Sequence, residues 1–459
     1  MTLTADEIIK STGGELLSGN SKTFSGVSID SRTISEGEVF FAIRGEKFDG
    51  HNFLDKALLK GIGAVVDSRP VSLPKDRVMI YVKDTLKALQ DLAHYLRIKL
   101  DIPVVAITGS SGKTTTKEMV YSILSGSYKT LKNEGNLNNH IGLPLSLMRL
   151  EPDHEAIVLE MGMNAPGEIR RLCEITVPTH GLVTNIGSAH LGRLGSYEAI
   201  RDAKLEILES LSVAVLNADD GFLMQGVAET KKFNGEIITF SINNDSHVMA
   251  KDIQTTERGS NFKLEIKDAG LIPVNLNIHG IFNVYNALAA SAVCFSLGIQ
   301  IDGIKSALED FRAFPMRFEI TERKGITVIN DAYNANPSSM EESLKELVRP
   351  GRRGRRIAAF GDMRELNDFS EDAHRTLGRM LAEVNVDVFI AVGEMMSLAA
   401  EECMKVKGGK SVPEIYTFRD VNDASEGMMN IVKHGDTILI KGSRLMQMDK
   451  IAGRILDAI

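Results

Sequence analysis

The stretch that most constrains this 459-residue chain is P-V-V-A-I-T-G-S-S-G-K-T-T-T-K-E at residues 103–118. Residues 103–107 are a short, β-branched apolar run after a proline, the pattern of a buried parallel strand. Residues 108–112 are small and flexible. Lys113 opens a helical pattern that continues through Met119, Val120, Ile123 and Leu124. Strand, glycine loop and helix form the geometry that cradles a phosphate, because loop N–H groups and the helix N-terminus face the anion. Lys113 adds a point charge, and the Thr114 hydroxyl is placed to hold Mg²⁺. The match to G-x-x-x-x-G-K-[ST] is a variant: its first glycine would fall at Ile107, and the loop glycine is Gly109 instead. A serine- and glycine-rich turn would account for the loop alone, but not for strand, spacing, lysine and threonine together. Gly109, Ser110, Ser111, Gly112, Lys113, Thr114 and Thr115 are therefore expected to bind ATP or GTP with magnesium.

A chain this long exceeds one core, so two to four domains are expected. Its net charge of −8 argues against a general nucleic-acid surface. Arg349, Arg352, Arg353, Arg355 and Arg356 form a basic knot, read as a solvated loop before a strand at 357–360. Cys173, Cys294 and Cys403 are scattered and odd in number, which fits a reducing compartment. The first ten residues carry Asp6-Glu7 and no apolar core, and the most apolar helix candidate, 287–299, is too short to span a bilayer. A cytoplasmic location is expected.

Residues 1–83 read as a small α/β domain, with a helix over 5–10 and strands over 24–29 and 39–43. Polar clusters follow both strands: Asp30-Ser31-Arg32, then Arg44 to His51 with Gly45 and Asp49. Polar strand ends are where α/β sheets bind ligands, although turn-forming Asp-Ser and Asp-Gly pairs explain such runs as well. Residues 84–100 form an amphipathic linking helix. Residues 101–313 carry the glycine loop and strands at 156–159, 181–184 and 213–216, which end in Glu160, Asn185 and Asn217. Residues 236–280 alternate like an antiparallel edge, and an alanine-rich helix follows Asn283 and Asn286. Residues 314–459 alternate again, with strands at 327–330, 357–360, 388–392 and 437–440 and helices near 338–348, 370–384, 394–406, 421–432 and 447–458. That is a second doubly wound sheet without a phosphate loop, so its turns are expected to serve the central site.

Taken together these motifs resemble the Mur ligase family, the ATP-dependent amide-forming enzymes of cell-wall precursor synthesis. The resemblance runs from Asp30 to Arg444. It includes the glycine loop, Asn133 to Asn139 with Asn138, Glu160, Thr184-Asn185, His190, Lys204, Asn283 and Asn286. In the last domain it includes Arg317, the run Asp331-Ala332-Tyr333-Asn334-Ala335-Asn336-Pro337, and Lys441 to Arg444. It implies an α/β fold of three domains: a small UDP-binding domain, a central P-loop ATPase with a parallel sheet, and a C-terminal Rossmann-like domain. Within the family the chain looks most like the member that adds D-alanyl-D-alanine to UDP-N-acetylmuramoyl-tripeptide. The sibling that adds diaminopimelate or lysine typically carries an Asp-x-Pro-Arg box, and none of the twelve prolines here precedes an arginine.

The resemblance also assigns roles. Lys113 would hold the β- and γ-phosphates, with Arg317 as clamp and Asp331 meeting the nucleotide. Thr114 and Glu160 would hold one Mg²⁺. His190 and Lys204, the latter carbamylated, would hold a second. Asn283 and Asn286 would contact adenine; helix capping is the alternative for both. Ser31, Arg32, Gly45, Asp49 and His51 would bind the UDP precursor, and Asn138, Tyr333, Asn334 and Asn336 would face the amine substrate. A monomer is expected. The glycine loop by itself leaves a nucleotide switch open as the other class of function.

Overall fold

The computed structural model describes residues 3–20, 22–69, 76–230, 233–256, 258–350, 354–405 and 412–459. Arg352 and Arg353 of the basic knot lie outside the described residues. Arg355, by contrast, is no solvated loop residue: its guanidinium grips Asp436 at 2.8 Å and the Ile431 carbonyl.

Three sheets organise the chain. The first has the order Glu15–Ser18, Val78–Tyr81, Gly63–Val66, Glu38–Phe41, Gly26–Ser28, and all neighbours are parallel except the first pair. The run expected as one strand over 24–29 is broken at Ser25. Thr23–Phe24 pairs antiparallel with Leu3–Thr4, while Gly26–Ser28 joins the sheet. The helix Thr85–Arg97 is capped by the Asp84 carboxylate and buries Leu89, Leu92, Ala93 and Leu96 at its apolar stripe.

The central sheet has nine strands. Val104–Thr108 lies between Ala156–Glu160 and His180–Val183, all parallel, and Val213–Asn217 follows. The strands are apolar throughout because both faces are covered. Helices Lys113–Leu124 and Ile281–Ser296 pack on one face, and Gly142–Leu147, Glu168–Thr176 and Tyr197–Leu205 on the other. The expected antiparallel edge begins later than the sequence suggests. Glu236–Ser241 returns after the helix Gly221–Thr230, so this crossover makes it parallel to Val213–Asn217. Val248–Thr256 is still parallel to it, and only Gly259–Ile266 and Gly270–Leu276 run antiparallel.

The third sheet has the order Glu319–Arg323, Ile326–Asp331, Thr437–Lys441, Arg356–Gly361, Val388–Val392, Glu414–Phe418. Only its first pair is antiparallel. The last strand of the chain thus inserts between two earlier ones, and Asp331 and Lys441 end up as register partners at the strand termini. Among the described residues no helix is long and apolar enough to cross a membrane.

Candidate active site

The glycine loop sits where the central strand order reverses, outside the carboxyl ends of the strands, which is where open α/β sheets bind ligands. Its backbone is held from the neighbouring strand end. Ser110 N–H donates to the Asn185 carbonyl and Ser111 N–H to Asn185 Oδ1, each at 3.0 Å. Thr184 Oγ1 donates to the Ser111 carbonyl at 2.6 Å. Gly109 has φ +146°, and a Cβ there would lie 1.9 Å from Thr184 Oγ1, so only glycine fits the turn. Gly112, at φ +80°, begins the helix Lys113–Leu124 without a side-chain cap, leaving the helix N-terminus to an outside partner.

Two cations converge on this loop from different elements. Lys113 Nζ donates to the Gly109 carbonyl at 2.7 Å, and Lys204 Nζ reaches the same oxygen at 3.1 Å from the helix Tyr197–Leu205. Burial pushes both ammonium groups down, and each lysine lowers or is exposed to another cation: Arg317 acts on Lys113, and Lys113 acts on Lys204. The shift is large for Lys204, whose side chain is fully enclosed.

An oxygen cluster lies beside them. Thr114 Oγ1 donates to Glu160 Oε2 at 2.7 Å, and Asn138 Nδ2 donates to Glu160 Oε1 at 2.8 Å. Asn133 fixes the same residue from behind, accepting from Glu160 N–H at 2.8 Å and donating to its carbonyl. Buried Lys117 in turn donates to the Asn133 carbonyl at 2.7 Å. A carboxylate and a hydroxyl on one cavity wall are the hard oxygen donors that Mg²⁺ prefers. An ammonium at Lys204 would repel such an ion, whereas a carbamate there would supply two more oxygens.

The third sheet closes the other wall. Arg317 Nη2 donates to Thr114 Oγ1 at 2.9 Å, and its guanidinium stacks 3.7 Å from the Tyr333 ring centre. Asp331 is spoken for internally: Lys441 Nζ donates to it at 2.5 Å, with Ser343 Oγ and Phe318 N–H as further donors. Lys441 also donates to the Asn334 carbonyl. Asn336 caps the helix Pro337–Leu347 through its side chain, which accepts from Ser339 N–H. Ser338 and Ser188 exchange hydrogen bonds across the seam between the two sheets, with hydroxyls 2.9 Å apart. His190, at φ +67°, directs Nδ1 at Glu365 Oε2, 3.5 Å away, and burial lowers its pKa.

Most of the expected site residues line one cavity of about 470 Å³; Lys204 does not, lying buried behind the loop. The cavity brings together Lys113, Thr114, Asn138, Glu160, His190, Asn283, Arg317, Asp331, Tyr333, Asn334 and Asn336. A second cavity of about 370 Å³ adjoins it and shares Ser111, Gly112, Phe282, Asn286 and Glu342. Asn283 and Asn286 are not helix caps: Gly280 holds that position. Asn286 Oδ1 accepts from Thr116 Oγ1 and its Nδ2 donates to Asn283 Oδ1. Ser31, Arg32, Gly45, Asp49 and His51 line neither cavity; they stand at strand ends of the first sheet. There His51 Nδ1 lies 2.7 Å from Asp49 Oδ1, and Asp67 joins them through its N–H to His51 Nε2.

Sequence reasoning missed Glu342, Glu365 and Ser338. Burial pushes the Glu342 carboxyl up to about 7. Its one sequence signal was helical spacing, since it follows Ser339 by three positions on the face that meets the cavity.

The Mur ligase middle domain matches residues 107–294, the glutamate ligase domain of Mur ligases 316–444, and the Mur ligase family catalytic domain 23–97. The UDP-N-acetylmuramoyl-tripeptide--D-alanyl-D-alanine ligase of Escherichia coli (strain K12) is 35% identical, with 98% of each chain aligned. The enzyme of the same name from Bacillus subtilis (strain 168) is 34% identical over 94% of this chain and 93% of its own. Among solved structures, MurF from Acinetobacter baumannii superposes with a TM-score of 0.91 at 33% identity, covering 100% of this chain and 99% of that one. MurF ligase from Thermotoga maritima in complex with ADP gives 0.82 at 29% identity, covering 94% and 97%. With family domains matched along most of its length and full-length relatives above 30% identity, the chain belongs to the Mur ligase family.

Proposed function

We propose that this chain is an ATP-dependent amide ligase that joins D-alanyl-D-alanine to UDP-N-acetylmuramoyl-tripeptide, releasing ADP and phosphate, in peptidoglycan precursor synthesis. The observation that carries the reading is the convergence of Lys113 and Arg317 on one cavity with the Thr114–Glu160 oxygen pair, with buried Lys204 on the same loop carbonyl as Lys113. Such a cavity suits several negative charges at once, which is what acyl-phosphate chemistry must assemble: a peptide carboxylate, a γ-phosphate and the departing ADP. The full-length likeness to enzymes named for this reaction supports the choice of substrates.

In this mechanism the tripeptide carboxylate attacks the γ-phosphate of ATP. Lys113 holds the β- and γ-oxygens, and Arg317 reaches the same phosphates from the third sheet. The Thr114 hydroxyl and the Glu160 carboxylate would hold magnesium, which would supply charge neutralisation for the transferring phosphoryl group. Asn138 and Asn133 keep that carboxylate aimed. Lys204 would be carbamylated by carbon dioxide, its neutral amine adding to the carbon and releasing a proton: its buried, depressed amine has the neutral form this needs, and the carbamate with His190 would offer ligands to a second ion. The amine of D-alanyl-D-alanine then adds to the acyl phosphate, and phosphate leaves the tetrahedral intermediate. Tyr333, Asn334 and Asn336 shape the side from which that amine arrives, and Asp331 and Lys441 stiffen this wall as a pair. Positioning and charge neutralisation, rather than a protein nucleophile, carry the rate.

The UDP precursor is held by the first unit, 1–83, through Ser31, Arg32, Gly45, Asp49 and His51. Residues 84–100 link it to an ATP-binding unit, 101–313, and a ligase unit, 314–459. The enzyme acts as a cytoplasmic monomer, and the seam at Ser188–Ser338 and Arg317–Thr114 is the closed arrangement in which catalysis occurs. The decisive test is phosphate release measured across substrate pairs. Tripeptide precursor should require D-alanyl-D-alanine. Release with dipeptide precursor plus diaminopimelate or lysine would assign the sibling reaction, and ADP formation without an amide product would assign a switch.

A further inference from the structure

Glu342 has no place in the chemistry above, yet it stands on the wall shared by both cavities. Its carboxylate accepts no hydrogen bond from the described residues and forms no ion pair with them. The polar side chains around the smaller cavity are otherwise committed: Asn185, Asn217, Asp219, Asp220, Tyr285 and Asn286 all hold internal hydrogen bonds. Two groups are left over. The buried Ser111 hydroxyl has no partner and sits on the phosphate loop. Glu342 is the other. The same wall carries the apolar side chains of Phe240, Phe282 and Ala289. The Phe282 ring is fixed edge-on against Phe318, with centroids 5.2 Å apart.

A cavity that holds phosphate-loop residues, aromatic side chains and a lone acceptor on one wall suits a nucleoside triphosphate whose base carries an amine. We infer that Glu342 is a specificity residue for the nucleotide, accepting a hydrogen bond from the exocyclic amine of adenine. Either protonation form of a carboxyl keeps an acceptor oxygen, so the contact persists around neutrality. The amide oxygens of Asn286 and Asn283 each already accept one internal hydrogen bond, from Thr116 and from Asn286, whereas Glu342 accepts none from the described residues. The inference rests on the ATP-ligase reading for the identity of the nucleotide, but not on the amide product.

The experiment is a calorimetric titration of the full chain with ATP, with purine riboside triphosphate, which is ATP without the amine, and with 2′-deoxy-ATP. Wild type should bind ATP on the order of 10- to 100-fold more tightly than purine riboside triphosphate, the value of a hydrogen bond to a charged or buried group. Glu342→Ala should bring the two within about 3-fold, chiefly by weakening ATP. Glu342→Gln keeps an acceptor oxygen and should retain most of the preference. The 2′-deoxy penalty should be the same in all three proteins. Equal weakening of both triphosphates by Glu342→Ala, or a change confined to 2′-deoxy-ATP, would overturn the assignment. Binding is read here, so failure of the amide assay would sink the substrate reading and leave this result standing.

Discussion

Two strand-end clusters in this molecule carry cations, and they treat them in opposite ways. In the first sheet's clusters both arginines have an acid. Arg32 pairs with Asp30 at 2.6 Å, and Arg44 with Asp67 at 2.8 Å. The Arg32 hydrogen bonds hold the Asp30 carboxyl down at about 2. These groups are mostly in water: the Arg32 side chain is 77% exposed. At the central loop Lys113 and Lys204 share one carbonyl oxygen, and Lys204 is only 1% exposed. Exposed pairs are worth little and exchange partners readily. Buried cations without an acid are unfavourable until an anion or a chemical change compensates them. The first cluster is therefore a set of solvent-exposed pairs, and the second a buried pair of like charges.

The largest effect should come from removing a central cation. Lys113→Ala should lower kcat by about 10²- to 10³-fold, the scale of losing one preorganised charge contact in a transition state, with the fold intact by circular dichroism. A small change would place Lys113 in the loop's structure rather than its chemistry. Lys204→Ala should follow closely, and acetate should restore part of the activity by replacing the carbamate oxygens. Unrescued activity near wild type, or a plain lysine in a magnesium-loaded crystal, would sink the carbamate.

Asn138→Ala sharpens the comparison at the next level down. It should raise the Mg²⁺ requirement about 10-fold, as loss of a group that orients a metal ligand does. A rise in the KM for D-alanyl-D-alanine at saturating Mg²⁺ would instead put Asn138 against the amine substrate. The smallest effect should be at the exposed cluster. Arg32→Ala should raise the KM for the UDP precursor severalfold, an effect weakened by salt, and leave ATP binding unchanged. If ATP binding falls in parallel, the two clusters are not separate sites.

The glycine loop was legible because its strand, turn, lysine and threonine are consecutive. Residues 104–108 and 113–124 formed as the pattern required. The helices of the last third were legible too, since their apolar periodicity is local. Short strands such as Gly63–Val66 and Thr130–Lys132 went unread because a few apolar residues look alike in helix, strand or loop. Parallel pairing at Glu236–Ser241 was misjudged for a related reason: alternation shows that a strand is half buried, not which neighbour it takes.

What the sequence determined by itself is chemistry held within one turn: a phosphate-binding loop at Gly109 to Thr115, with a hydroxyl behind its lysine. The fold alone decided which distant groups meet it. Lys204 lies 95 positions from Gly109 and Arg317 lies 203 from Thr114, yet both touch that loop. Glu342, on the helix Pro337–Leu347 beside the third sheet, likewise shares a cavity wall with Ser111 and Phe240 of the central unit. Contacts over such separations are set by strand order and by packing of whole faces, and neither is written in any short window of residues.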